Sequence, residues 1–498
     1  MKRSQIKRRT GAMLLAAALL LPVLVGCGES KEEQTPASED TPVQDAAVQA
    51  TVEPEPEPET KEPAPDIEGL DYNGNDLTFI APLFHTVRYQ YAEELNGEAL
   101  NDAVYNRWVT VGGDLNANLN WIWHSDGSGT HTEVIRSVQA GDDAYQIVYM
   151  HSMYGISDYV TSGSLYNLDL LPHVDFKAPW WSGEMMENFR IGKNLDYAAG
   201  DLCLQSPIGI LFNKTIAANY DLPDHYEMVR NGEWTYDRFI QYGSAVTLDA
   251  NGDTVIDYRD QTGYTGDITE RACDIPFFCG EHLTKATDEG LELVFYSDRM
   301  VELFEKTNAF FMNQEVSNAF FRSAAKNQQS FAEGLALYSL VDIDSIVYLR
   351  DSEVEFGILP GFKYDEQQER YYSYAWPLFV CVPVTIGNPD MTGAVLEYFC
   401  YRSGETQTAY HENLIRGKST RDEESLEMLS IIKAGLVSDI GGSYLGFDSS
   451  FNPIFYCFMR LMSTKQDDIA SFYAKSEKAA LKSLQRLYDK VVEAEEGN

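Results

Sequence analysis

Basic residues are scarce in this chain. Against 77 Asp and Glu it carries 38 Lys and Arg and 8 His, a formal net charge of -39. So acidic a surface repels polyanions, which excludes nucleic acid and anionic membrane surfaces as partners. Cysteine is also sparse: there are 7 in 498 residues, and no two stand at C-x-x-C spacing, so zinc and thioredoxin-like chemistry find no support. The one extended apolar run, Ala12 to Val25, is too short to span a bilayer comfortably as a permanent helix. H-E-x-x-H, G-x-S-x-G and P-loop motifs are absent, and no S-x-x-K stands in a nucleophile context. Zinc-protease, serine-hydrolase and nucleotide chemistry therefore have no anchor in the sequence.

What the chain does have is apolar and aromatic mass. Hydrophobic residues make up 44% of it and aromatics 12%, with 30 Tyr and 7 Trp. Its length exceeds what one compact core supports and suits two lobes. The rings can pack cores or serve as flat contact surfaces for a ligand.

The N-terminus speaks to the compartment. Lys2, Arg3, Lys7, Arg8 and Arg9 precede the apolar run, the pattern of a secretion signal. The run ends in Leu24-Val25-Gly26-Cys27, which resembles the bacterial lipobox. That resemblance implies cleavage after residue 26, a lipid on Cys27, and a protein anchored at the extracellular face of the cell membrane, touching it by the lipid alone. Gly28 to about Asp66 is rich in Pro, Glu, Thr, Ala and Gln and includes the run Glu53 to Glu59, in which Pro and Glu alternate. Such a segment cannot bury enough surface to fold. We read residues 27–69 as a lipidated cysteine and an extended spacer.

From Leu70 the chain reads as globular. Leu77–Pro82, Leu119–Trp123 and Tyr145–Met150 have the character of strands, separated by helical patterns over Asn101–Asp114 and Thr132–Ala140. The Asn101-Asp102 pair is positioned to cap the first helix. Strands alternating with helices imply βαβ units and a mainly parallel sheet, an α/β fold. Further strands are expected at Ile208–Lys214 (running into a polar turn), Gly334–Leu340, Phe356–Leu359 and Phe379–Val382. Helices are expected from Glu233 to Val246, at Asp298–Phe311, Val316–Ala325 and Met391–Arg402, and from Asp468 to about Glu495. Cys381 and Cys400, set in apolar runs, read as small buried residues.

Several local patterns, in order, carry a resemblance. They are Asn101–Arg107; the turn Gly141-Asp142-Asp143 into Val148; Pro179-Trp180-Trp181 followed by Tyr197–Asp201; Ile210–Lys214; Gly232-Glu233-Trp234-Thr235; Ile358-Leu359-Pro360; and Phe379–Pro383. Together with the lipobox they resemble the extracellular solute-binding proteins of family 1, which include maltose- and multiple-sugar-binding proteins. The resemblance implies a two-lobe, periplasmic-binding-protein-like (type II) α/β fold with a hinge and a ligand cleft between the lobes. It implies crossings near Ser206-Pro207 and Tyr372–Pro377, lobe 1 over 70–207 and 372–405, and lobe 2 over 208–371 and 406–498. It also implies a monomer that delivers a small solute, an oligosaccharide by class, to the permease subunits of an ABC importer.

Ligands of α/β sheets bind beyond the carboxyl ends of strands. That rule singles out Phe84 and His85 after the first strand, His151 and Ser152 after the third, and Asp342 and Asp344 after the strand at 334–340. These are candidate contacts, or loop and helix-capping residues. Trp376, with Tyr374 beside it, lies at the return crossing, where a ring can either face the cleft or pack the hinge. Trp180 and Trp181 read as lobe packing.

Two features stand apart from the cleft. Asp249, Asn251, Asp253, Asp257 and Asp260 occupy positions 1, 3, 5, 9 and 12 of a calcium-loop pattern, but Thr254 replaces its glycine and Asp260 its bidentate Glu. The residues suit either a Ca2+ loop or an acidic solvent loop. Cys273 and Cys279 are near enough in sequence for a local disulfide or stand as free thiols. Beyond a binding protein, two classes remain open at this point: a secreted glycoside hydrolase, which also needs aromatics and two carboxylates, and an adhesive lipoprotein.

Overall fold

A computed structural model of the chain describes residues 63–83, 85–125, 129–287, 289–313, 316–320, 324–415 and 423–497. The basic start, the apolar run, Cys27 and most of the acidic spacer lie outside them, as does Phe84. Among the described residues no helix is long and apolar enough to cross a membrane.

In chain order the strands are β1 (Asn75–Pro82), β2 (Ala117–His124), β3 (Ile147–His151), β4 (Ile208–Asn213), β5 (Thr262–Asp267), β6 (Thr284–Thr287) and β7 (Gly290–Leu293). They continue with β8 (Ser317–Phe320), β9 (Ala336–Asp342), β10 (Phe356–Leu359), β11 (Ser373–Tyr374), β12 (Leu378–Cys381) and β13 (Leu436–Val437). The first sheet runs β12-β3-β1-β2 and the second β10-β4-β9-β5-β8. In the first, β1 pairs parallel with β2 and β3, and β12 closes the edge antiparallel to β3. The helix Ala99–Asp114 makes the crossover from β1 to β2, and Thr130–Ala140 the crossover from β2 toward β3.

Strand alternation sorts the first lobe's core into two layers. Phe79, Ile147, Tyr149 and Val380 pack on one face, while Ile80, Val148, Met150, Phe379 and Cys381 pack on the other. Both faces are covered, as a mainly parallel sheet requires. The turn into β3 depends on Gly141, whose φ of 74° closes the preceding helix in the left-handed region. Its N–H donates to Val138 O and that of Asp142 to Ser137 O.

The second lobe packs Trp234, Tyr236, Phe239, Tyr264 and Tyr338 around the second sheet. Asn213 caps the helix Lys214–Asn219 by accepting from Ile216 N–H, so a helix follows β4 directly where a polar turn was expected. Thr235 caps Tyr236–Ala245 in the same way.

Several expectations need correction. Val316–Ala325 is not the single helix expected: Ser317–Phe320 is the edge strand β8, in parallel register with Tyr264–Asp267, and a helix is described only from Ala324 on. A short apolar run fits either period, and the open edge of β5 decides it. Asn101-Asp102 does not cap the first helix, which begins at Ala99; Asp102 instead accepts from the N–H groups of Asn96 and Gly97. Of the two alternatives for Cys273 and Cys279, the structure has the unbridged one: both thiols are buried and no disulfide joins them. They lie six residues apart along and just past the helix Ile268–Phe278, an axial rise of about 9 Å that exceeds disulfide reach.

The C-terminal segment, expected mainly on the second lobe, packs on both. The 29-residue helix Ile469–Gly497 buries Ile469, Ala480 and Leu484 in the second lobe's core and Leu487 and Val491 in the first's. Near its end Glu495 accepts from Lys193 and Asn194 N–H, both at 2.8 Å.

Candidate functional site

One parallel strand of each lobe, β3 and β9, ends at a cavity of about 380 Å³. His151 is the last residue of β3 and Asp342 the last of β9; both line it. Arg271 and Asp274 come from the helix that follows β5, and Gln205 and Ser206 from the first crossing. Trp376 comes from the return crossing, and Phe455 and Tyr456 from the C-terminal segment. The carboxyl-end placement is the one an α/β architecture favours for a ligand.

One wall is aromatic. Trp376 is partly buried, with its ring 5.3 Å from Phe455, which meets Tyr456 edge-on at 4.8 Å. The lining also holds charged groups. Arg271 Nη1 donates to Asp274 Oδ2 and Nη2 to Asp342 Oδ2, both at 3.0 Å. Apolar rings and hydrogen-bonding groups in one lining suit a ligand with an apolar face and a polar rim.

The two crossings are tied together at the cavity floor. β3 and β12 pair His151 with Leu378, and Ser152 N–H donates to Pro377 O at 2.9 Å. Gln205 holds Leu378 through two further hydrogen bonds. His151 and Trp376 are thereby fixed beside each other by backbone pairing.

The other candidates are placed as follows. Ser152 is buried and its hydroxyl has no hydrogen-bond partner among the described residues; it does not line the cavity. Tyr374 is fully buried, stacked on Phe277 at 4.2 Å, and supports Trp376 edge-on from the core rather than facing the cavity. Asp344 also lies outside the lining: its Oδ1 accepts from Ser206 Oγ at 2.7 Å and it faces Arg88 at 3.8 Å, so it fixes the first crossing. Asp342 precedes the 3-10 turn Ile343–Leu349 but makes no side-chain cap to it. His85 opens the 3-10 turn His85–Tyr89, and its side chain, like Phe84, lies outside the described residues.

The acidic loop is separate from the cavity wall. Asp249, Asp253 and Asp260 bring one carboxylate oxygen each within 4.8 Å of one another. Asp257 is not in that group and pairs with Arg259, while Asn251 Oδ1 accepts from Asp253 N–H. Thr254 adopts a φ of 65°, the left-handed conformation that glycine takes most easily, so the sharp turn survives the substitution. The oxygens also accept backbone N–H groups, Asp249 from Gly252 and Thr254, and Asp260 from Ala250 and Asp257.

The sequence reading missed Arg271, Asp274, Gln205, Phe455 and Tyr456. Arg271 and Asp274 follow β5, whose Thr-Gly-Tyr-Thr-Gly-Asp lacks an apolar strand pattern. Phe455, with Tyr456 beside it, reaches Trp376 across 79 residues of chain, and no local signal announces that contact.

No family model matches the sequence, and no curated protein matches it either. Solved structures do match in fold. The GacH receptor of Streptomyces glaucescens GLA.O, determined unliganded and with acarbose and an acarbose homolog, aligns with a TM-score of 0.54 at 10% identity, covering 83% of this chain and 99% of its own. UspC of M. tuberculosis aligns with a TM-score of 0.53 at 13% identity, covering 82% and 100%. The cyclic alpha-maltosyl-1,6-maltose binding protein from Arthrobacter globiformis aligns with a TM-score of 0.57 at 14% identity, covering 82% and 99%. At such identities the likeness is one of fold. The chain has the two-lobe, periplasmic-binding-protein-like α/β fold that the order of its strands and motifs implied.

Proposed function

We propose that this protein captures a carbohydrate outside the cell and delivers it, as the binding subunit of an ABC importer, to a pair of membrane permeases. The observation that carries the reading is the inter-lobe cavity, whose lining holds both the Trp376 and Phe455 rings and the Arg271–Asp342 pair. A pyranose offers an apolar face to such rings and a rim of hydroxyls to such polar groups. Proteins of the same fold named for acarbose and maltose-type ligands support the choice of class. The protein works as a monomer, with Cys27 lipidated and the acidic spacer letting the head stand off the membrane.

On this reading no bond in the ligand is made or broken. The free energy of binding is spent on holding the lobes closed, and the closed form is what the permeases recognise. No cofactor enters the cycle, and the Asp249–Asp260 loop serves the second lobe's structure.

Thermal unfolding against a panel of oligosaccharides tests the proposal. A cognate sugar at about 100 times its Kd stabilises by about 2.7 kcal/mol, a rise of several degrees, and is recovered unchanged. Trp376→Ala is expected to abolish the rise. Cleavage products would convert the reading to a glycoside hydrolase. An unchanged rise in Trp376→Ala would remove that ring from the site.

A further inference from the structure

Among the described residues that line the cavity, Arg271 is the only Lys or Arg. Its terminal nitrogens are turned to two carboxylates, Nη1 to Asp274 and Nη2 to Asp342. The side chains of Arg271 and Asp274 are 6% and 2% exposed, whereas that of Asp342 is 33% exposed. The cation is thus buried, and the most exposed member of the trio is an anion. One guanidinium against two carboxylates leaves the trio with a net charge of one negative. Arg88 is not among the lining residues and faces Asp344, which accepts from Ser206.

We propose that this trio makes the cavity selective by charge: neutral saccharides bind, amino sugars bind at least as well, and uronic-acid sugars are rejected. The inference rests on the carbohydrate reading and adds the charge class of its ligand. A ligand carboxylate would face Asp342 in a partly water-excluded space, where like charges repel more strongly than in bulk water. Arg271 cannot turn its fork to such a ligand without giving up its bond to the buried Asp274 or to Asp342, which is costly. Asp342 accepts hydrogen bonds from hydroxyls and, more strongly, from an ammonium group. The chain's overall charge of -39 acts in the same direction at long range. That term is screened by salt, whereas the trio's is screened much less.

The test is titration calorimetry on the full chain with matched sugars built on a neutral disaccharide that binds. The variants carry a carboxylate at C6 or an ammonium at C2. The acid is expected to bind at least about tenfold more weakly than the neutral parent, and most of that gap is expected to persist in about 0.5 M salt. The amino form is expected to match or exceed the parent. Asp342→Asn is expected to shrink the acid's penalty by about threefold or more, as is Asp274→Asn, which frees Arg271 Nη1. Should the buried Asp274 variant fail to fold, Asp342→Asn decides alone. An acid that binds as tightly as the neutral parent, or a penalty unchanged in Asp342→Asn, overturns the inference and leaves the carbohydrate reading standing. Failure of every neutral and amino sugar to bind overturns both.

Discussion

Gln205 and Leu378 are joined by a reciprocal pair of hydrogen bonds: Gln205 Nε2 donates to Leu378 O at 2.7 Å, and Leu378 N–H donates to Gln205 Oε1 at 2.9 Å. One side-chain amide therefore does for the two crossings what a rung of sheet pairing does within a lobe. Gln205→Leu removes both bonds and leaves two backbone groups to find other partners. We expect it to lower stability by about 1–3 kcal/mol in urea unfolding and to weaken ligand binding as well. Unchanged affinity at reduced stability would show that the clamp supports the fold but not the cleft.

Glu397 gives a pH dependence with a definite sign. It is buried and accepts from both indoles, Trp180 Nε1 at 3.1 Å and Trp181 Nε1 at 2.8 Å. Burial outweighs these bonds and pushes its carboxyl up to about 7, against an unfolded value near 4.5. The fold therefore favours the protonated acid. Its contribution is fully present below about pH 4.5 and is lost as pH rises through about 7. Comparing the wild type with Glu397→Gln in urea across that window cancels the other carboxylates. The wild type is expected to lose on the order of 1–2 kcal/mol more than the variant as pH rises. A parallel pair of curves would show that Glu397 is not the titrating group.

Asp260 is fully buried and accepts from the N–H groups of Ala250, at 3.0 Å, and Asp257, at 2.9 Å. Asp260→Ala strands these donors and opens the loop between the helix Tyr236–Ala245 and β5. With EDTA present, so that only these bonds are read, the variant is expected to lose about 2 kcal/mol and to be cut faster by protease near Asp253. Equal stability would mean that the loop is held by its other turns.

The lipid anchor has its own test. In detergent phase partitioning, the protein from its native host is expected in the detergent phase, and Cys27→Ala in the aqueous phase. Equal partitioning of the two would mean that the anchor is not on Cys27. This outcome is independent of what the cleft binds.

Much of the first lobe was legible because its signals are local. The strands at 75–82 and 117–124 and the glycine turn at 141 declare themselves within a few residues. The helix Asp298–Phe311 matches its expected bounds, with Met300, Leu303, Phe304, Thr307, Phe310 and Phe311 buried at helical spacing. The cavity was half legible. The carboxyl-end rule reached His151 and Asp342, and it failed for Arg271 and Asp274 because β5 is too polar and glycine-rich to read as a strand.

What the sequence determined by itself, then, is the alternation that makes an α/β protein, since periodicity acts within one strand or one turn of helix. Only the tertiary structure decided which ring meets the cavity. Tyr374 and Trp376 stand two residues apart, yet Phe277 stacks over the first and buries it, while the second meets Phe455 at the cavity wall. It also decided that a short apolar run becomes β8, and that Arg271 is spent between two carboxylates. In each case the partner comes from a distant part of the chain or from another element, and its pull exceeds the weak local preference that a sequence expresses.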